Sequence, residues 1–151
     1  MAHVITDADT TASPERVIAA LTDFSPRRLE LWPNIDRSLY KVGERGERFA
    51  DVTEGSRAFG GIWERGRYDW SQPGTVRIDV QDSNAFRARS FWKYDVTPRE
   101  GGGSHVHMEF DRRPRNLKGA LLAAVLSLFG RQVFGKSLRE TLHRIERPEA
   151  H

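Results

Sequence analysis

The sequence contains no cysteine. A disulfide scaffold, a Cys-ligated zinc site and a Cys nucleophile are therefore excluded, while the redox compartment stays open. Long apolar runs are also missing. The longest, Gly119 to Gly130, has 12 residues, against roughly 20 for a membrane-spanning helix. It reads as a buried helix segment, and no membrane insertion is expected. Met1 to Thr10 has neither the basic start nor the apolar core of a signal peptide, so a cytoplasmic location is expected. Lysine is scarce: 20 of the 24 basic residues are arginine, and the net charge is only +3. Few groups titrate near pH 9–10, so the sequence pI of 9.6 exaggerates that charge.

The one dense basic stretch is Asp111-Arg112-Arg113-Pro114-Arg115-Asn116-Leu117-Lys118. It reads as a solvated loop ahead of a helix; the alternatives are a nucleic-acid or anionic-membrane patch and a docking patch of Arg112, Arg113, Arg115 and Lys118 for an acidic partner protein. No nucleic-acid-binding motif accompanies it, so no nucleic-acid partner is expected. There is no nucleophile elbow around Ser13, Ser25 or Ser90. Gly101-Gly102-Gly103 precedes a strand rather than a helix, so it is no phosphate cradle. His105, His107 and Glu109 have chelating spacing but alternate with Val106, Met108 and Phe110. They should face solvent, and neither a metal nor a cofactor is expected.

What is present is a globular composition: 151 residues, 10% aromatic and 30% charged. Residues 1–151 fit one domain, which at this length can bury about 68–70% of its unfolded surface. His3 to Ala8 reads as a strand. Ser13-Pro14-Glu15 and Ser25-Pro26 each supply an N-cap and a first-turn proline, so two short helices follow. From Ile35 to Phe110 the apolar period becomes two. Strands are predicted over Arg37–Val42, Arg48–Glu54, Ile62–Trp70, Thr75–Val80, Arg87–Val96 and Ser104–Phe110, joined by short turns as an antiparallel meander. A last helix from about Leu117 to Ile145 is apolar almost all round near its start, which predicts deep packing of that half. A curved antiparallel sheet of about seven strands wrapped around this helix is an α+β fold.

The order and landmarks resemble the START / polyketide cyclase (SRPBCC) superfamily with its helix-grip fold. The carrying residues are Ala12-Ser13-Pro14-Glu15-Arg16-Val17, Leu21-Thr22-Asp23-Phe24, Leu31-Trp32-Pro33, Trp63-Glu64, Tyr68-Asp69-Trp70 and Leu138-Arg139-Glu140-Thr141-Leu142. The resemblance covers nearly the whole chain, from about Val4 to Ile145. It implies an internal cavity between sheet and helix that takes a lipid-like, aromatic or polyketide-like molecule. Some members are carriers and some are cyclases or dehydratases, so fold analogy does not choose among them.

Alternation assigns the inward side chains. Glu64, Tyr68, Trp70, Ser90, Trp92, Tyr94 and Met108 are expected along the cavity, with Leu128, Arg131 and Gly135 facing them from the helix. A fully packed aromatic core is the alternative. Glu54 and Glu64 fall on one face of neighbouring strands and are candidates for acid and base. The blander reading solvates them at the sheet edge or pairs them with Arg57 or Arg65. Arg131 is the candidate to polarise a ligand carbonyl, or else it snorkels to solvent. Binding or carrying a small hydrophobic molecule is the first functional expectation. A cyclase or dehydratase using the cavity glutamates is the second, and a homo-oligomer is left open.

Overall fold

The computed structural model describes residues 2–147, apart from the side chain of Phe59. Strand β1 (Ala2–Thr10) leads to α1 (Pro14–Leu21) and α2 (Arg28–Leu31). Strands β2 (Lys41–Arg45), β3 (Phe49–Ser56), β4 (Ile62–Asp69), β5 (Thr75–Ser83), β6 (Phe91–Pro98) and β7 (Ser104–Arg112) follow. Helix α3 (Leu117–Glu146) ends the chain and runs unbroken through Gly130 and Gly135. The sheet order is β1-β7-β6-β5-β4-β3-β2, antiparallel throughout. This is the expected helix-grip architecture.

Local chemistry sets the boundaries. Ser13 accepts from the Arg16 N–H at 3.3 Å with Pro14 at the first helical position. Asn116 caps α3 by accepting from the Gly119 N–H at 2.9 Å. Two strand starts differ from expectation. Asp36 accepts from the Ser38 N–H at 2.8 Å and winds Arg37–Leu39 into a 3-10 turn, so β2 begins only at Lys41. Arg89 has φ +80°, outside extended backbone, so β6 begins at Phe91 and Ala88 is exposed instead of inward.

The core lies between α1, the concave sheet face and the C-terminal half of α3. Val17, Phe110, Leu138 and Leu142 are essentially fully buried there, each contributing roughly 1.5–3 kcal/mol of transfer free energy. Thr141 Oγ1 donates to the Leu31 carbonyl at 3.0 Å, fastening α3 to α2. The N-terminal half of α3 departs from the deep packing expected. Leu117, Leu121, Leu128 and Phe129 are exposed, and only Gly119, Leu122, Ala123 and Gly130 of that half are buried. Beneath this half lies a cavity lined by Leu122, Val125, Leu126 and Phe129, while Leu117, Leu121 and Leu128 do not line it.

Candidate functional site

The cavity has a volume of about 650 Å³ and lies between the concave sheet face and α3. That is within the usual range for small-molecule sites. Its walls are mostly apolar: Val52, Ile78, Val80, Met108, Leu126 and Phe134 among others. Gly66 lets Ile78 pack close against β4, since a Cβ there would sit 2.6 Å from Ile78 Cγ2. At the mouth, Arg57 and Ala58 stand on one side and Val125, Phe129 and Val133 on the other.

Two glutamates interrupt this wall. Glu54 of β3 and Glu64 of β4 are direct cross-strand partners, and both line the cavity. Each is met by its own buried arginine, neither of which is Arg57 or Arg65. Arg28 of α2, 4% exposed, reaches Glu54 with Nε and Nη2, both at 3.2 Å. Its Nη1 donates to the Leu21 carbonyl at 3.1 Å and its Nη2 to the Tyr68 hydroxyl at 2.6 Å. The Tyr68 hydroxyl in turn donates to Glu54 Oε1. Burial lifts the Tyr68 hydroxyl well above the ordinary tyrosine range, with Arg28 opposing and Glu54 adding to the rise. Tyr68 therefore stays protonated, and Glu54 is fully engaged.

The second station is built differently. Arg112 is the last residue of β7 and 2% exposed. Among the described residues its side chain makes one hydrogen bond, from Nη1 to Glu64 Oε2. The guanidinium stacks over Trp92, 4.2 Å from the ring centroid, with Phe86 at 5.2 Å and Phe110 at 5.7 Å. Trp92 Nε1–H donates to Glu64 Oε1 at 3.2 Å. Phe86 reaches the site because a bulge in β5 opposite Arg65–Gly66 turns Ser83 inward. Ser83 Oγ then accepts from the Ala85 and Phe86 N–H groups and turns the chain. Burial pushes the Glu64 carboxyl up; Arg112 pulls it back and Glu54 adds to the rise. Burial likewise lowers Arg112, against the attraction of Glu64. Arg112 keeps N–H donors with no acceptor among the described residues, beside a cavity that it lines.

Of the residues expected at the cavity, Glu54, Glu64, Tyr68, Trp92, Tyr94 and Met108 line it. Five others do not. Arg131 and Leu128 project to solvent, because the buried face of α3 there is formed by Gly119, Leu122, Ala123 and Gly130. Gly135 abuts β1: a Cβ placed on it would lie 3.0 Å from Thr6 Oγ1. Trp70 falls beyond β4 and packs against Phe24, centroids 6.1 Å apart. Ser90 sits before β6, its Oγ accepting from the Arg113 N–H at 2.9 Å. Two site residues escaped the sequence reading. Arg112 continues the inward alternation Val106, Met108, Phe110 by one more step, and that period was the available signal. Arg28 sits three residues before buried Leu31, a one-turn spacing in a helix too short to show a stripe.

His105 and His107 do face outward, where His105 contacts Asp9 at 2.7 Å and Asp7 at 2.9 Å, and His107 contacts Asp7 at 2.7 Å. Among the described residues no cluster of His, Asp or Glu has an arrangement that holds a metal ion.

A family model described as polyketide cyclase / dehydrase and lipid transport matches residues 1–147. Among curated protein sequences none matches the chain. Solved structures similar in fold include TTHA0849 from Thermus thermophilus, TM-score 0.77, at 16% identity over 95% of this chain and 96% of that one. The Zhui aromatase/cyclase of a Streptomyces species has TM-score 0.78 and 14% identity, covering 96% of this chain and 93% of its own. A START superfamily protein from Mycobacterium smegmatis has TM-score 0.75 and 11% identity, covering 95% and 98%. At such identities the likeness is one of fold.

Proposed function

The chain belongs to the polyketide cyclase / dehydrase and lipid transport family, and we propose that it binds and carries a small hydrophobic molecule bearing one carbonyl or carboxylate. The observation that carries this reading is Arg112: a buried guanidinium with unused donors in the wall of an apolar cavity. An aromatic or lipid-like body satisfies the apolar walls. One acceptor group on that body satisfies Arg112, and charge-assisted hydrogen bonds of this kind contribute about 1.5–3 kcal/mol. The pair of probes that tests it is 2-naphthoate and 2-methylnaphthalene, which share a ring system and differ in the acceptor. Arg112→Met should weaken naphthoate by roughly 10- to 100-fold and leave methylnaphthalene nearly unchanged. Equal losses for both probes, or no binding of either by the native protein, would refute the reading.

A second reading rests on Glu64. Its carboxyl is pushed up by burial and faces the same cavity, which suits a group that hands a proton to a departing hydroxyl or takes one from an acidic carbon. Glu54, held by Arg28 and Tyr68, faces it across the ladder. This is the cyclase or dehydratase alternative. Turnover of a poly-β-keto thioester that vanishes in Glu64→Gln, with naphthoate binding intact, would establish it. Turnover undiminished in that variant would remove Glu64 from the chemistry.

A further inference from the structure

We propose that the exposed face of the first half of α3 docks on the surface of an anionic lipid bilayer, with the cavity mouth turned toward the membrane. Leu117, Leu121 and Leu128 are 76%, 62% and 75% exposed, and Val125, Phe129 and Val133 are exposed beside them. Their three- and four-residue spacings place them on one continuous strip of the helix. The last three also border the cavity mouth, so the strip and the opening form one surface. Contiguous exposed apolar patches of this kind mark interaction sites rather than ordinary solvent-facing surface.

Charge identifies the occupant. From Arg112 to Arg139 the sequence has no Asp or Glu and seven basic residues. Arg113 and Arg115 precede the helix, Lys118 lies on its first turn, and Arg131 lies one turn from Leu128. Arg57 stands at the far side of the mouth with 83% of its side chain exposed. Asp36, Asp82 and Asp111 partly offset Arg57, Arg115 and Arg113, and Lys118 Nζ donates to the Gly61 carbonyl at 2.8 Å, but the strip itself carries no acid to neutralise Lys118 or Arg131. A second copy of the chain seated there would bring these cations together with nothing on the strip to neutralise them, which disfavours a self-dimer. Anionic headgroups supply the missing charge while the apolar side chains enter the headgroup boundary. Among the described residues α3 is the one helix long and apolar enough to cross a bilayer. Its C-terminal half is held in the core by Leu138, Leu142 and Ile145. The helix therefore lies on the membrane rather than through it.

The test is flotation with vesicles of phosphatidylcholine alone or with roughly one third phosphatidylglycerol, with sedimentation velocity on the lipid-free protein. Native protein should float with the anionic vesicles at low salt and leave them as NaCl rises from about 50 to 500 mM. Leu121→Ser/Leu128→Ser should lower the partition coefficient by about tenfold or more, because each leucine loses its transfer out of water. Arg113→Gln/Arg131→Gln should lower it several-fold on anionic vesicles only. Both double variants change exposed positions, so unfolding midpoints and naphthoate affinity should be unaltered, which separates this surface from the cavity. Native protein that stays with the lipid-free fraction at low salt would overturn the proposal. So would equal flotation with both vesicle types, or a native dimer that the serine variant converts to monomer.

Discussion

Removal of Arg112 is the perturbation with the most informative consequences. Arg112→Met keeps the side-chain length and an apolar contact with Trp92, but it removes the cation from both the Trp92 ring and Glu64. Removing one partner of a buried ion pair costs about 3–5 kcal/mol. Glu64 keeps 20% of its side chain accessible and still accepts from Trp92 Nε1, so the low end, about 3 kcal/mol, is expected. For a chain of this length that is roughly 6–12 °C in unfolding midpoint. The loss must depend on pH, and the sign follows from the carboxyl. Burial already raises Glu64, and losing Arg112 removes the influence that lowers it. A folded-state value above the unfolded one gives a contribution fully present below the ordinary carboxylate range and lost as pH rises through the folded value. Arg112→Met should therefore be nearest to native stability at about pH 4–5 and furthest at pH 7 and above. Glu64→Gln/Arg112→Met removes both charges and should recover most of the loss at pH 7 while still failing to hold naphthoate. Chemical denaturation across pH, with naphthoate titration of each variant, measures all of this. A pH-independent loss in Arg112→Met, or a double variant as unstable as the single, would refute the ion-pair argument.

Three other outcomes follow from particular contacts. Gly135→Leu should overpack α3 against β1 at Thr6 and lower stability by about 1–3 kcal/mol in denaturant melts, with naphthoate binding retained. Thr141→Val should cost about 1 kcal/mol by stranding the Leu31 carbonyl, which keeps only a longer contact from Arg144 Nη1 at 3.4 Å. On the outer face, hydrogen bonds to Asp9 and Asp7 raise His105 above its ordinary 6.5. Asp7 is held low, the upward push of burial being outweighed by His107 and His105; Asp9 is held low chiefly by its bond with His105. The histidine contribution is complete below about pH 6.5 and lost above, and the aspartate contribution is complete above about pH 4 and lost below. The stability difference between native protein and His105→Gln should thus peak between those values and shrink toward pH 9 in parallel melts.

Most of the fold is legible because its signals are local and repeated. Seven strands in the expected order and a last helix from Leu117 follow from a two-residue period, glycine-rich turns and the Ser13-Pro14 cap. Ser25-Pro26 is not the cap of α2, which begins at Arg28 with Arg27 at the cap position and no side-chain cap. The errors come from single residues that override the period. Asp36 winds a turn where alternation continues, and Arg89 at positive φ delays β6. The N-terminal half of α3 misleads for a different reason. Apolar composition says that a surface avoids water, but not whether core, cavity, partner or bilayer covers it. Leu121 reads as packed and Leu128 as cavity-facing from the sequence, and both are on the outside.

The site is legible only in part because charge reads as surface. Glu54 and Glu64 could be placed opposite each other since strand register is a counting argument. Their arginines come from a four-residue helix and from the end of a basic run, two places where a solvated side chain is the ordinary expectation. Tertiary packing alone brings Arg28 beneath α1 and Arg112 against Trp92. Energetics then distinguishes structural from functional meaning. Two buried ion pairs in a cavity wall stabilise a fold no better than apolar residues of similar volume would. The Arg28 pair is nearly closed, since Glu54, Tyr68 and the Leu21 carbonyl take four of its five N–H donors, and it braces α2 against the sheet. The Arg112 pair is open, with donors left over beside empty volume. Stability explains the first arrangement and leaves the second unexplained, so the ligand's polar group belongs at Arg112.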